Sequence, residues 1–125
     1  MHKRHREFFA IAPDDEGTVW TPVASSAGRI EEIVLADNLD PASATGSRTR
    51  LARWSAGALI DRPVVHDFHE EVFIVSGDLR VGCDAEGEGG EAFGPSTFAC
   101  RPPGAVHGPF VSRTGCVMLE FQYYA

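Results

Sequence analysis

Apolar residues recur along the chain in short β-prone runs, and helical spacing of apolar positions is nearly absent. The runs are TVWTPV at 18–23, RIEEIVLA at 29–36, TRLARW at 49–54, EVFIVS at 71–76, LRVG at 79–82, TFACR at 97–101 and CVMLEFQYY at 116–124. Between them lie SSAG, DNLDPASATGS, SGD, DAEGEGGEAFGPS and PPG, whose Gly, Pro, Asn, Asp and Ser residues suit chain reversal. Many short strands at this spacing predict an all-β antiparallel sandwich or small barrel. No internal repeat and no linker divides the sequence. One domain over 18–125 is expected, preceded by an N-terminal arm at 1–17. The Gly/Glu-rich piece at 84–92 reads as an exposed hairpin loop.

Strand parity refines this picture. Successive side chains on a strand alternate faces, so in EVFIVS Val72 and Ile74 point one way and Phe73 and Val75 the other. Both sets are apolar, which predicts cover on both sides: the barrel interior on one, a second layer or a partner subunit on the other. In CVMLEFQYY the set Val117, Leu119, Phe121 and Tyr123 is apolar. Met118, Glu120, Gln122 and Tyr124 form a mixed set suited to solvent or to a polar pocket. Trp54, Phe98 and Tyr123 read as core residues.

Composition narrows the classes of function. The formal charge of -7 argues against binding nucleic acid or an anionic membrane, since both need a basic face. His2, Lys3, Arg4, His5 and Arg6 make a basic start, but no long apolar stretch follows, so neither a signal peptide nor a membrane anchor is expected. Cys83, Cys100 and Cys116 are odd in number and contain no CxxC pair. Reduced, mostly buried thiols in a cytoplasmic protein fit this pattern, with Cys100 read as a core thiol.

One stretch raises a chemical question. PVVHDFHEEVFIVSGDL crowds His66, His69, Glu70 and Glu71 against the start of an apolar strand. A solvated corner and a metal site are the two readings. His107 follows a Pro-Pro-Gly turn in ACRPPGAVHGPF, where proline stiffens the backbone and glycine permits a sharp bend. Two imidazoles and one carboxylate, His66, Glu70 and His107, make up the ligand set of a facial triad, which holds a divalent metal and leaves positions open for substrate. His69 is a further candidate ligand, because strict alternation need not hold at a corner. Arg50, Arg53 and Arg101 each carry a planar fork able to clamp a substrate carboxylate. The substrate-binding candidates are Arg53, Glu120 and Gln122.

The stretch HDFHEEVFIVSGDL, followed by RPPGAVHGP, resembles the two metal-binding motifs of the cupin superfamily, small antiparallel jelly-roll β-barrels. Glu70, six residues and Gly77 match the second half of the first motif, and His66 matches its second histidine. Val64 stands where that motif has its other histidine. Pro102, Gly104 and His107 match the second motif, with Ser96 in place of its leading glycine and Val111 in place of its closing asparagine. The likeness runs from Gly57 to Val111. It implies a cupin jelly-roll barrel with one divalent ion on His66, Glu70 and His107, and with His69 or water in the place lost at Val64. Iron(II) is favoured, with manganese, nickel or zinc as alternatives. It further implies an enzyme with Glu70 as a catalytic residue, acting on an enolisable dicarbonyl or hydroxy-keto substrate in a dioxygenase-like reaction. The alternatives are a redox-inert isomerase, cyclase or lyase, and a non-catalytic module that senses a metal or small molecule. A homodimer is expected.

Overall fold

Where β-branched and aromatic residues alternate with polar ones, the chain extends and pairs. The computed structural model describes residues 1–7, 11 and 19–125. Among these the strands are β1 (Thr21–Pro22), β2 (Ile30–Asp37), β3 (Ser47–Trp54), β4 (Leu59–Ile60), β5 (His69–Gly77), β6 (Leu79–Val81), β7 (Glu91–Phe93), β8 (Phe98–Arg101), β9 (Phe110–Val111) and β10 (Cys116–Tyr123). No helix occurs among the described residues, so none crosses a membrane as a helix. Every predicted run contains a strand, although Thr18 of the first lies outside the described residues and only Thr21–Pro22 of that run pairs. The strands β4, β7 and β9, of two or three residues each, lie outside the predicted runs, being too short to carry a periodic signal of their own. Glu91 therefore starts a strand rather than ending a loop.

Two antiparallel sheets result. The larger has the order β1-β2-β3-β10-β5-β8 and the smaller β4-β9-β6-β7. They face one another without a hydrogen-bond ladder closing them into a barrel. Gly94 and Pro95 carry the chain from β7 to β8, and proline has no N–H with which to continue a ladder. The core between the sheets holds Ile30, Ala52, Trp54, Val72, Ile74 and Met118 from the larger sheet, and Leu79 and Phe110 from the smaller. Trp54 and Phe110 meet edge to face, 6.3 Å between ring centres. Each large side chain buried this way contributes roughly 1.5–3 kcal/mol.

β10 is the organising strand. It pairs with β3 along all eight residues and with β5 on its other edge, with a register shift between Val117 and Met118. Gly77, which ends β5, has φ +80°, and a Cβ there would lie 1.9 Å from the Gly115 carbonyl oxygen. Only glycine allows β5 to end against the start of β10.

Register lines up residues from distant parts of the chain in rows across the inner face. Gln122 sits between Arg48 and Glu70, and Glu70 pairs in turn with Arg101. One row deeper, Glu120 sits between Arg50 and Val72, and Val72 pairs with Ala99. In the next row Met118 lies between Ala52 and Ile74. The face thus grades from charged to apolar.

The outer face differs from expectation. Phe73 is 39% exposed, Phe121 41% and Phe98 57%, and Cys100 is exposed beside them. Phe98 and Cys100 are not core residues, because Ala99 and Arg101 take the inward parity of β8. Tyr123 is half-buried on the same outer face. No second layer of this chain covers Phe73 and Val75 among the described residues. Cys83 and Cys116 are buried.

Candidate metal centre

Three backbone hydrogen bonds lock the two histidine corners together. Val64 and His107 exchange both N–H···O bonds, at 2.7 and 2.9 Å, and Gly104 N–H donates to the His66 carbonyl at 2.9 Å. Gly104, at φ +80°, makes the bend after the two prolines. Glu70 enters from the second residue of β5, pointing inward with Val72 and Ile74.

His66, Glu70 and His107 converge, with one ligand atom from each lying within 4.8 Å of the others. His66 Nε2 is 3.8 Å from Glu70 Oε2, and His107 Nε2 is 3.7 Å from Glu70 Oε1. Those separations are too long for hydrogen bonds. Ligand atoms about 2.0–2.2 Å from a shared ion stand about 3–3.5 Å apart, so small side-chain movements suffice to seat one. The donor chemistry also fits. His107 Nδ1 lies 3.1 Å from the Ala105 carbonyl, which can accept only from a protonated Nδ1. Nε2 then keeps its lone pair and faces Glu70. Burial lowers the His107 imidazole below its ordinary range, with Arg101 and His66 adding to the effect against the pull of Ala105 and Glu70. A neutral imidazole is the form that ligates. His66 stacks on Phe68 at 4.6 Å, which fixes its ring.

Glu70 is 6% exposed and is held from behind. Gln122 Nε2 donates to Glu70 Oε2 at 3.0 Å, and Arg48 Nε donates to Gln122 Oε1 at 2.9 Å, with a second bond from its terminal nitrogen. The guanidinium can only donate, so the relay Arg48 to Gln122 to Glu70 sets the amide orientation. Gln122 positions a carboxylate and is not among the residues lining the cavity.

The site opens on a cavity of about 140 Å³ between the sheets, lined by His66, Glu70, His107, Val64, Arg50, Arg101 and Glu120 among others. Arg50 Nε reaches Glu120 Oε2 and Arg50 Nη1 reaches Glu32 Oε2, both at 2.5 Å. Burial raises the Glu120 carboxyl, and Arg50 counters that shift. Burial disfavours the charged Arg50, but Glu120 and Glu32 outweigh it and keep the guanidinium protonated.

Two candidates lie elsewhere. His69 has the outward parity of β5 and stacks flat on Tyr123 at 4.8 Å, so it is not part of the converging group. Arg53 also has outward parity. It pairs with Glu31 at 2.8 Å and covers the Trp20 ring at 4.2 Å, away from the cavity. Arg50 and Arg101 hold the inward positions instead. The inward parity of Ala52 and Trp54 on the same strand was the available signal for Arg50. Nothing local to the sequence marks Arg48 as a support for Glu70.

No sequence-family model matches the chain, and no curated protein sequence matches it. Solved structures do. An RmlC-like cupin from Shewanella frigidimarina superposes with a TM-score of 0.69 at 17% identity, covering 100% of this chain and 96% of that one. An acetylacetone dioxygenase from Acinetobacter johnsonii gives 0.65 at 20% identity over 96% of this chain and 75% of its own. The polyketide cyclase RemF from Streptomyces resistomycificus gives 0.58 at 22% identity, over 82% and 68%. With its paired antiparallel sheets and its two histidine corners facing one cavity, this chain has the jelly-roll fold of the cupins.

Proposed function

We propose that the protein is a metal-dependent enzyme acting on a small oxygenated substrate, an enolisable dicarbonyl or hydroxy-ketone. The observation that carries this reading is the His66–Glu70–His107 group, joined to an internal cavity that has room for a few heavy atoms beside it. An ion held there supplies Lewis acidity to a chelated carbonyl and, if it is iron(II), access to dioxygen chemistry. The side chains supply the rest. Glu70 is fixed by Gln122, His107 is fixed by Ala105, and Arg101 adds positive charge beside Glu70. Likeness to the acetylacetone dioxygenase supports a dioxygenase-like reaction; iron(II) is the ion we favour for it, and manganese, nickel and zinc suit the same donors. A redox-inert isomerase, cyclase or lyase is the second reading. It is supported by Glu120, a second buried carboxyl in the cavity wall, and by likeness to the polyketide cyclase. We further infer a homodimer assembled on the outer apolar face, and a cytoplasmic location consistent with three free cysteines.

Elemental analysis of chain purified without chelators or an affinity tag should give about one divalent ion per subunit. His107→Ala should lose most of it, since one of three ligands is gone. Full metal content in that variant would remove the triad. Iron-loaded protein should then consume oxygen with a dicarbonyl or hydroxy-ketone, and Glu70→Ala should stop it. Proton exchange next to the carbonyl, without oxygen uptake, selects the redox-inert reading.

A further inference from the structure

Two cavities lie between the sheets, and Arg101 stands in the wall of both. The first carries the triad. The second, about 180 Å³, is lined by Ile74, Val81, Phe93, Thr97, Phe98 and Ala99, and shares Val72, Leu79 and Arg101 with the first. Its one lining hydroxyl is engaged, Thr97 Oγ1 donating to the Gly94 carbonyl at 2.7 Å. Among the described residues Arg101 is the only charged side chain lining it. The second cavity is therefore an apolar compartment with a single cation at the boundary with the candidate metal centre.

That cation is short of acceptors. Arg48 is bonded to Gln122, and Arg50 to both Glu120 and Glu32. Arg101 has its side chain 14% exposed, yet its ion-pair contact is Glu70 Oε1 at 3.8 Å, outside hydrogen-bonding range. Its planar group otherwise rests over the Phe110 ring at 5.3 Å. No hydrogen bond engages its guanidinium among the described residues. A partly buried guanidinium facing a cavity, with five N–H donors and no hydrogen-bonded acceptor among the described residues, has donors to offer a ligand, and a planar oxygen anion is the ligand that fits its fork. The neighbouring compartment sets the rest of that ligand. A dry cavity of about 150 Å³ with aliphatic and aromatic walls accepts benzene, so this one has room for about six heavy atoms of hydrocarbon.

We propose that Arg101 and the second cavity form a subsite for a small amphipathic anion, its carboxylate or similar planar oxygen group on Arg101 and its hydrocarbon arm between β5, β8 and β6. The proposal rests on the triad reading for what the bound oxygen group is presented to, and it narrows the substrate class to oxygenated anions with an apolar arm. Arg101 is then a specificity residue. Acids without the arm, and neutral analogues with it, bind less well.

NMR titration of the intact, metal-free chain with hexanoate, hexanamide and acetate tests this without turnover. Hexanoate should bind at least about tenfold tighter than either of the others, a difference of about 1.4 kcal/mol. Arg101→Gln should erase the preference for acid over amide. Ala99→Leu, which narrows the second cavity, should bring hexanoate down to the level of acetate. Equal binding of hexanoate and hexanamide by the unmodified chain overturns the proposal, as does hexanoate no tighter than acetate; neither result depends on a variant folding. Zinc added back to the same chain, with its binding measured separately, keeps the two readings apart. A chain that prefers hexanoate but never holds a divalent ion loses the metal reading and retains the subsite. A chain that holds the ion but shows no preference loses the subsite alone.

Discussion

The inner and outer faces of the six-stranded sheet are built from the same strands, yet at the cavity end their chemistry departs from a simple sandwich. Inside, Arg48, Gln122, Glu70 and Arg101 form one row, and Arg50 and Glu120 belong to the next. Outside, Leu51, Leu119, Phe73 and Phe98 form a continuous apolar row across four strands. An antiparallel sheet usually buries its apolar side and wets its polar side. Here buried charge has to be offset by pairing, hydrogen bonds or an ion, and an exposed apolar row marks a surface that a partner covers. We read the inner face as specialised for a small ligand and the outer face as specialised for a second copy of the chain.

The sharpest break in this contrast should come from Arg50→Met. It leaves Glu120 buried without its cation, and loss of one partner from such a pair costs about 3–5 kcal/mol. Denaturant unfolding measures that loss, and Arg50→Met combined with Glu120→Leu should recover most of it. A single-variant loss below about 1 kcal/mol, the range of exposed pairs, would mean that the inner charges are solvated and that the two faces differ little.

Next in size are changes around the ligands. Gln122→Leu removes the support behind Glu70 and should weaken zinc binding about 10–100-fold, read by competition with a chromophoric chelator. Unchanged affinity would detach Gln122 from the centre. Val64 lines the cavity and is bridged to His107, so Val64→His should add a ligand and tighten binding about 10–100-fold. His69→Ala should change affinity little, because His69 lies across the sheet on Tyr123. A large loss in that variant would mean that the corner rearranges when metal binds.

The smallest effect on subunit stability is expected outside. Phe73→Ser with Phe98→Ser removes exposed apolar surface and should leave the subunit within about 0.5 kcal/mol per site. The same double variant should lower the mass seen by light scattering from dimer to monomer. A monomer mass for the unmodified chain at micromolar concentration would show that something other than a second copy covers this face.

How much of this was legible beforehand depends on the range of the interaction involved. The longer strands were visible because period-two alternation is a local property, while β4 and β9, at two residues each, were not. His66, Glu70 and His107 were legible because each sits in a motif only a few residues long. Parity along β5 also separated Val72 and Ile74 from Phe73 and Val75. It did not say which set was inside, and for β8 the apolar Phe98 suggested the wrong one. Arg53 is a substrate-binding candidate by sequence although its parity on β3 is opposite to that of Trp54, and Arg50 holds the inward place. Hydrophobicity identifies the buried face only when that face is apolar, and this cavity is charged.

The sequence by itself determined the strand-rich architecture, the glycine that lets β5 end against β10, and the three side chains able to hold a metal. Each follows from local backbone preference or short spacing. The tertiary structure alone decided which arginines face inward, that Gln122 supports Glu70 rather than lining the cavity, and that Arg101 joins two compartments. Those placements depend on register between strands up to 74 residues apart, as in Arg48 and Gln122. A shift of one residue in any of those pairings exchanges the inner set for the outer one. Register is set by the packing of the whole core, and no single segment of the chain contains it.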